Sequence, residues 1–160
     1  MNARLLLALA IVALLCVNAQ PGADGGGTRA GPVGTIVKGH ISGDTIWNIG
    51  GSPYIVEGDI FVDQFVNLTL DAGTTVLFTL GTKLTVDGSM HANGTILNKV
   101  MFTSSRSQPS TGDWKGIWVN KTGKADFIYS TMQYSKTGIN VTGGQSTVST
   151  TTLKFHILSA

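Results

Sequence analysis

The sequence predicts an all-β solenoid, and three observations support this fold class. Short apolar segments recur every eight residues over 60–102, each with two apolar positions separated by one mixed position. Glycines fall between these segments, where a chain that turns a corner often needs left-handed backbone. Charged residues make up only 12% of the chain, so Thr, Ser, Asn and Gly must cover most of the surface.

The eight-residue count defines two inward positions in each predicted strand. Eleven of the twelve positions over 60–102 hold apolar side chains, and Gly94 is the exception. They are Ile60, Leu68, Val76, Leu84, Ala92 and Val100 at the first position, and Val62, Leu70, Phe78, Val86, Gly94 and Phe102 at the second. A helical period of about 3.6 residues would not give this pattern, whereas a strand places alternate side chains on one face.

Two arrangements of these strands fit the count: an antiparallel meander, or a coil in which each strand pairs with the strand one turn away. Asn93-Gly94 lies on a strand rather than between strands, which weakens the hairpin interpretation. Three units of eight give a coil of 24 residues, with turns spaced ~4.8 Å apart. The predicted stacked pairs are Ile60 with Leu84, Leu68 with Ala92, and Val76 with Val100.

The first 19 residues have the features of a secretory signal peptide. Met1–Arg4 carries a positive charge, and the unbroken apolar run Leu5–Val17 is followed by small side chains up to Ala19. We therefore expect cleavage after Ala19 and a secreted or cell-surface protein. The alternatives are a retained signal anchor, or acylation of Cys16, for which Leu15 is bulkier than the usual preceding residue.

The chain divides into three predicted parts. The signal peptide spans 1–19, and the Gly- and Pro-rich stretch 20–39 is predicted to be a flexible leader. The solenoid domain spans 40–160, with an N-terminal β cap over 40–58 and three to four coils over 59–160. Because the chain ends in the apolar "LKFHILSA", we expect a fragment truncated at its C-terminus; a complete four-coil protein is the alternative.

Five stretches of the sequence resemble secreted right-handed parallel β-helix proteins of archaea and bacteria. They are "SGDTIWNIGGSPYIVEGDIFV" (42–62), "NLTLDAGTTVLFTLGTKLTVDGSMHANGT" (67–95), "MFTSS" (101–105), "GDWKGIWV" (112–119) and "TGINVTGG" (137–144). The resemblance covers roughly residues 40–155. It implies a right-handed single-stranded parallel β-helix that is exported, with Thr45–Ile49 and Tyr54–Val56 in the N-terminal cap. It implies no particular activity, because such coils occur in surface proteins, adhesins and polysaccharide-active enzymes.

Four aromatic residues are candidates for glycan binding. Trp118 occupies an outward position on its strand, Trp114 precedes it in a loop, and Tyr129 and Tyr134 follow at nearby corners. Such an aromatic strip can stack on sugar rings. The alternative for Trp114 is that it packs the loop onto the coil.

We therefore expect a structural, adhesive or glycan-binding module whose partner is an extracellular or cell-wall polysaccharide or a neighbouring surface protein. No basic cluster supports nucleic-acid binding, and no membrane span remains after signal cleavage. The alternative is an N-terminal fragment of a polysaccharide lyase or glycoside hydrolase whose catalytic coils lie outside this chain. Asp113 with Asp126 is the carboxylate pair considered for that chemistry, but no catalytic residue is assigned.

Asp63 and Asp87 are the candidate Ca²⁺ ligands. They are 24 residues apart, so they would lie one above the other at the same corner, and carboxylate oxygens bind Ca²⁺. Asp is also a common turn residue, and no third ligand lies at the same corner of the predicted coil, so we expect no cofactor. His40, His91 and His156 show no zinc-binding spacing.

Four Asn residues begin N-x-[ST] triplets, which are glycosylation acceptors in some secreted proteins. They are Asn67, Asn93, Asn120 and Asn140. Chance occurrence in a chain rich in Asn and Thr is the alternative, and the mass of the secreted protein distinguishes the two.

Overall fold

The computed structural model describes residues 34–154 and confirms the predicted right-handed parallel β-helix. The described chain has fourteen β-strands and one 3₁₀ turn, and strands pair in parallel. Residues 34–154 include no helix with the length and apolar character that crossing a bilayer would require.

The strands follow one another with short corners between them. They are β1 Thr35–Ile41, β2 Thr45–Trp47, β3 Tyr54–Val62, β4 Asn67–Leu70, β5 Thr75–Phe78, β6 Lys83–Val86, β7 Ser89–Asn93, β8 Val100–Ser104, β9 Gly116–Val119, β10 Lys124–Ile128, β11 Ser130–Gln133, β12 Ile139–Val141, β13 Gln145–Ser149 and β14 Thr152–Lys154, with the 3₁₀ turn at Ile49–Gly51.

The strands form three faces that run along the solenoid. Face 1 contains the C-terminal parts of β1 and β3, followed by β6, β9 and β12. Face 2 contains β2, β4, β7, β10 and β13. Face 3 contains the N-terminal parts of β1 and β3, followed by β5, β8, β11 and β14. The stack is therefore about five turns deep, rather than the predicted three to four.

The predicted boundary between the leader and the domain is wrong. β1 pairs with β3, so residues 35–39 belong to the sheet and not to the leader. The predicted cap segments contain β2 and the start of β3, where Trp47 and Tyr54 are buried and stacked 4.7 Å apart. Both side chains belong to the core column, and β2 is the terminal strand of its sheet, so the capping role of these segments stays a prediction. The predicted signal peptide and residues 20–33 lie outside the described residues.

The predicted inward positions are confirmed as the core. All eleven apolar side chains at these positions are at most 1% exposed. The column continues through Ile117, Val119, Ala125 and Phe127, which are fully buried. Repeating the same inward pattern on each turn thus produces one continuous apolar column.

The 24-residue period holds for one predicted stacked pair and fails for two. Ile60 pairs with Leu84 as predicted. The observed partners are Met90 for Leu68 and Phe102 for Val76, in place of Ala92 and Val100. The corner between β6 and β7 is only Asp87-Gly88, and the following corner is lengthened by 94–99. Each register shift is of two residues, so the inward side chains remain inward.

Glycines at the corner between faces 1 and 2 allow successive turns to approach closely. A Cβ atom at Gly123 would lie 2.1 Å from the Val86 carbonyl oxygen, and one at Gly144 would lie 2.2 Å from the Asn120 carbonyl oxygen. Because these neighbours are backbone atoms, they cannot move aside without disturbing the strand pairing. A residue without a side chain is therefore required at this corner.

We predict that Gly123→Ala lowers the free energy of unfolding by ~1–3 kcal/mol, because its methyl group forces two turns apart. Gly43→Ala is the matched control, since a Cβ there meets nothing within 4 Å, and we expect it to change stability by less than ~0.5 kcal/mol. Urea unfolding followed by circular dichroism measures both. Equal effects would contradict the close-approach argument.

Candidate functional site

The outward side of face 1 carries one continuous row of side chains. The strand register places one residue per turn in line: His40, Phe61, Thr85, Trp118 and Asn140. Adjacent strands are ~4.8 Å apart, so the row runs along the solenoid axis. These five residues together with Lys83 are called the face 1 row below.

Aromatic and cationic contacts order the face 1 row. The His40 ring stacks on Phe61 with centroids 4.9 Å apart and an interplanar angle of 18°. The Lys83 ammonium lies 6.0 Å from the Phe61 ring centroid and 5.0 Å from that of Trp118. The Thr85 side chain between these rings is small, and the Lys83 cation bridges them by cation–π attraction. The row is thus a half-buried aromatic surface with a positive charge at its centre.

Two polar atoms in the middle of the row have no hydrogen-bond partner within residues 34–154. They are Thr85 Oγ1 and Trp118 Nε1, which belong to side chains on register-paired residues. An unpaired buried polar group costs ~1–3 kcal/mol. The middle of the row therefore combines aromatic rings with two unsatisfied polar atoms.

The two candidate Ca²⁺ ligands lie on successive turns of the corner between faces 1 and 2. Asp63 Oδ1 is 2.6 Å from His40 Nδ1, and Asp87 Oδ1 accepts a hydrogen bond of 2.8 Å from Asn120 Nδ2. Within the described chain, no group of three His, Cys, Asp or Glu side chains could hold a metal ion. The Ca²⁺ role of Asp63 and Asp87 stays a prediction.

Trp118 points outward as its position on the strand predicts, whereas the glycan-binding prediction for Trp114 is wrong. Trp114 is fully buried and stacks on Phe78 with ring centroids 4.0 Å apart. Its Nε1–H donates a 2.8 Å hydrogen bond to the Gln133 carbonyl oxygen. A backbone hydrogen bond from Gly81 to Asp113 holds this loop on the previous turn and directs Trp114 into the core column.

The two candidate tyrosines are not part of the same surface. Tyr129 lies at the corner between faces 2 and 3, and Tyr134 lies at the corner between faces 3 and 1. Both are half-buried and have left-handed backbone, with φ of 44° and 62°. The four predicted aromatic residues therefore do not assemble into one strip. His40, Phe61 and Lys83 join Trp118 instead. The sequence signal for Phe61 is the outward position between the two apolar residues of its strand, whereas Lys83 lies one residue before the first apolar position of β6.

The two carboxylates considered for hydrolysis are not brought together. Asp126 lies on the outward side of face 2, where its Oδ2 is 3.0 Å from His91 Nδ1. Asp113 is buried beneath the loop 104–113 on the corner between faces 3 and 1. It accepts hydrogen bonds from Ser104 Oγ, the Ser110 backbone N–H and Arg106 Nη1 at 2.6, 2.9 and 2.9 Å. Asp113 is thus the anchor of a loop and not half of a catalytic pair.

The charge state of Asp113 is set by burial and hydrogen bonding together. Burial opposes ionisation, but the hydrogen bonds from Ser104, Ser110 and Arg106 and the positive charge of Arg106 outweigh it and lower the pKa of Asp113. The folded state therefore stabilises the ionised carboxylate. This contribution to stability is present above the unfolded pKa of ~3.9 and is lost as pH falls through the lower, folded pKa.

We predict that Asp113→Asn destabilises the protein by ~2 kcal/mol at pH 7, because it removes charge-assisted hydrogen bonds from a buried site. The difference between the wild-type and variant free energies of unfolding should shrink below about pH 4. Urea titrations from pH 7 to pH 3 measure this difference. A difference that stays constant with pH would contradict the role of the ionised carboxylate.

The four sequons occupy different environments. Asn93 is exposed at the end of β7. Asn67 donates from its backbone N–H and its side chain to the Asp44 carboxylate, and these bonds lower the pKa of Asp44. Asn120 donates to Asp87, and Asn140 Oδ1 accepts from Thr142 Oγ1 at 3.0 Å. Glycosylation stays a prediction at all four; Asn67 and Asn93 are exposed, whereas Asn120 and Asn140 are half-buried.

Stacked parallel strands, three faces and an apolar column define this protein as a parallel β-helix repeat protein. Over residues 39–153 it matches a family model described as a pectate-lyase-like β-helix domain. The chain therefore belongs to this family. A search of curated proteins and a search of solved structures each gave no match.

Proposed function

We propose that this protein is an extracellular β-helix module that binds a polysaccharide along the face 1 row. The observation that carries the proposal is the alignment of His40, Phe61 and Trp118 along one face. A polysaccharide is itself a linear repeat, and a β-helix face repeats in the same direction. An extended chain on this face can contact several turns at once.

The chemistry of the row suits a sugar ligand. The faces of Trp118 and Phe61 can cover the apolar C–H surface of sugar rings. Trp118 Nε1 and Thr85 Oγ1 are buried and have no hydrogen-bond partner within residues 34–154, so a sugar hydroxyl would pair with them only after neighbouring side chains moved aside. Two strand spacings separate Phe61 from Trp118, or ~10 Å, so one ligand can contact both rings.

The proposed extracellular location rests on the predicted signal peptide and on the polar, weakly charged surface. After the proposed cleavage at Ala19, the chain contains no cysteine, so its stability outside the cell would depend on the apolar column and the strand hydrogen bonds. A structural or adhesive role on a cell surface uses the same features. Such a role is compatible with glycan binding, because the ligand site lies on the outside of the column.

We predict that Trp118→Ala weakens polysaccharide binding by about tenfold or more, because it removes the largest stacking surface of the row. Isothermal titration calorimetry against the best ligand from a glycan array measures this loss. The matched control is Trp114→Ala, which empties a core site and should lower the free energy of unfolding by ~3–5 kcal/mol. Unchanged affinity in a folded Trp118→Ala protein would contradict the proposed site.

A second candidate function is polysaccharide cleavage, as part of a larger carbohydrate-active enzyme. Membership of the pectate-lyase-like family favours it, and so does the His91–Asp126 pair on face 2, because a carboxylate can orient a His general base. Incubation with polysaccharides, followed by assay of reducing ends and unsaturated products, tests this candidate. Turnover that His91→Ala abolishes would favour the enzyme, and binding without turnover would favour the module.

A further inference from the structure

The corner between faces 1 and 2 contains a cavity of about 400 Å³ that lies beside the face 1 row. Six side chains lining it are Gln64, Phe65, Asp87, Ser89, Thr122 and Lys124. It is called the corner cavity below. Gln64 and Phe65 directly follow Asp63, whose carboxylate contacts His40 of the row. The cavity therefore borders the C-terminal ends of β3 and β6, the strands that carry Phe61 and Thr85 of the row.

Phe65 is a costly residue for the fold at this position. Its side chain is 89% exposed, so it contributes little to the apolar column. Its backbone has φ of 67°, a left-handed conformation that is unfavourable for a bulky side chain. Strained, non-glycine backbone that brings no packing benefit is concentrated at ligand sites. The cavity is one observation that indicates a ligand, and the exposed Phe65 ring that lines it is a second.

The polar groups of the corner cavity fit a hydroxyl-rich ligand. The hydrogen bond from Asn120 orients the Asp87 carboxylate, and the Thr122 hydroxyl donates to the Asp87 carbonyl oxygen at 2.9 Å. A carboxylate accepts several hydrogen bonds, and Lys124 supplies a donor. The Asp87 and Lys124 charges balance each other, so the cavity side chains offer no excess positive charge that would hold a uronate. These features favour a neutral sugar over a uronate.

We propose that the corner cavity is a sugar-binding subsite in which Phe65 stacks on a neutral sugar unit and Asp87 binds its hydroxyl groups. This inference rests on the proposed glycan-binding function and adds the ligand's charge class and a second contact point. It assigns Phe65 a binding role that explains both its exposure and its backbone conformation.

The test compares Phe65→Asn with wild type in calorimetric titrations of the full chain. The probes are neutral hexasaccharides with glucose, mannose, galactose or xylose backbones, together with hexagalacturonate. We expect wild type to bind at least one neutral hexasaccharide and to bind it more tightly than hexagalacturonate. Phe65→Asn should lose about tenfold or more of that affinity. Its urea midpoint should equal or exceed that of wild type, because Asn tolerates left-handed backbone better than Phe does.

Leu80→Asn is the matched control, since Leu80 is an exposed apolar residue at another corner, and we expect its affinity to match wild type. Loss of affinity in Trp118→Ala but not in Phe65→Asn would overturn the subsite and leave the face 1 proposal intact. Preference for hexagalacturonate would overturn the neutral ligand class. Failure of every probe to bind wild type would overturn the subsite and the proposed function together.

Discussion

Each strand of this protein is hydrogen-bonded to the strand one turn away, and the rest of the structure depends on this pairing. Most strands are only three to five residues long and have no pairing partner within their own turn. A single turn would therefore leave both its backbone polar groups and its apolar side chains exposed. Stacking pairs the backbone polar groups and buries the apolar side chains at the same time, because the strands pair where the inward side chains of successive turns meet.

Variation in turn length is confined to the corners. On face 1, Ile60, Leu84, Ile117 and Ile139 occupy equivalent inward positions although they are spaced 24, 33 and 22 residues apart. The longest turn includes the loop 104–113, which the buried Asp113 anchors. Because corners take up these differences, the strands stay in register and the outward side chains stay aligned. An ordered binding row is thus compatible with an irregular sequence period.

The alternation of side chains was enough to predict the fold and the core, because only strands bury every second residue. The exact partners could not be predicted, since Asp87-Gly88 and 94–99 change the corner lengths in opposite directions. For the site, the same alternation placed Trp118 outside, but it gave no information on Trp114, which lies in a corner. The partners of Trp118 were missed because a fixed period of 24 cannot align Thr85 with a residue 33 positions later. Backbone strain at Phe65 has no sequence signal at all.

Disulfide cross-linking of paired cysteines on adjacent turns tests the stacking most directly. Thr69 and His91 are outward-facing partners on β4 and β7, and parallel neighbours at ~4.8 Å are within reach of a disulfide bond. In a chain with Cys16→Ala, we expect Thr69→Cys with His91→Cys to cross-link readily on oxidation, and Thr69→Cys with Leu77→Cys to remain reduced. Efficient cross-linking of the Thr69–Leu77 pair instead would mean that consecutive strands form hairpins, which contradicts the β-helix account.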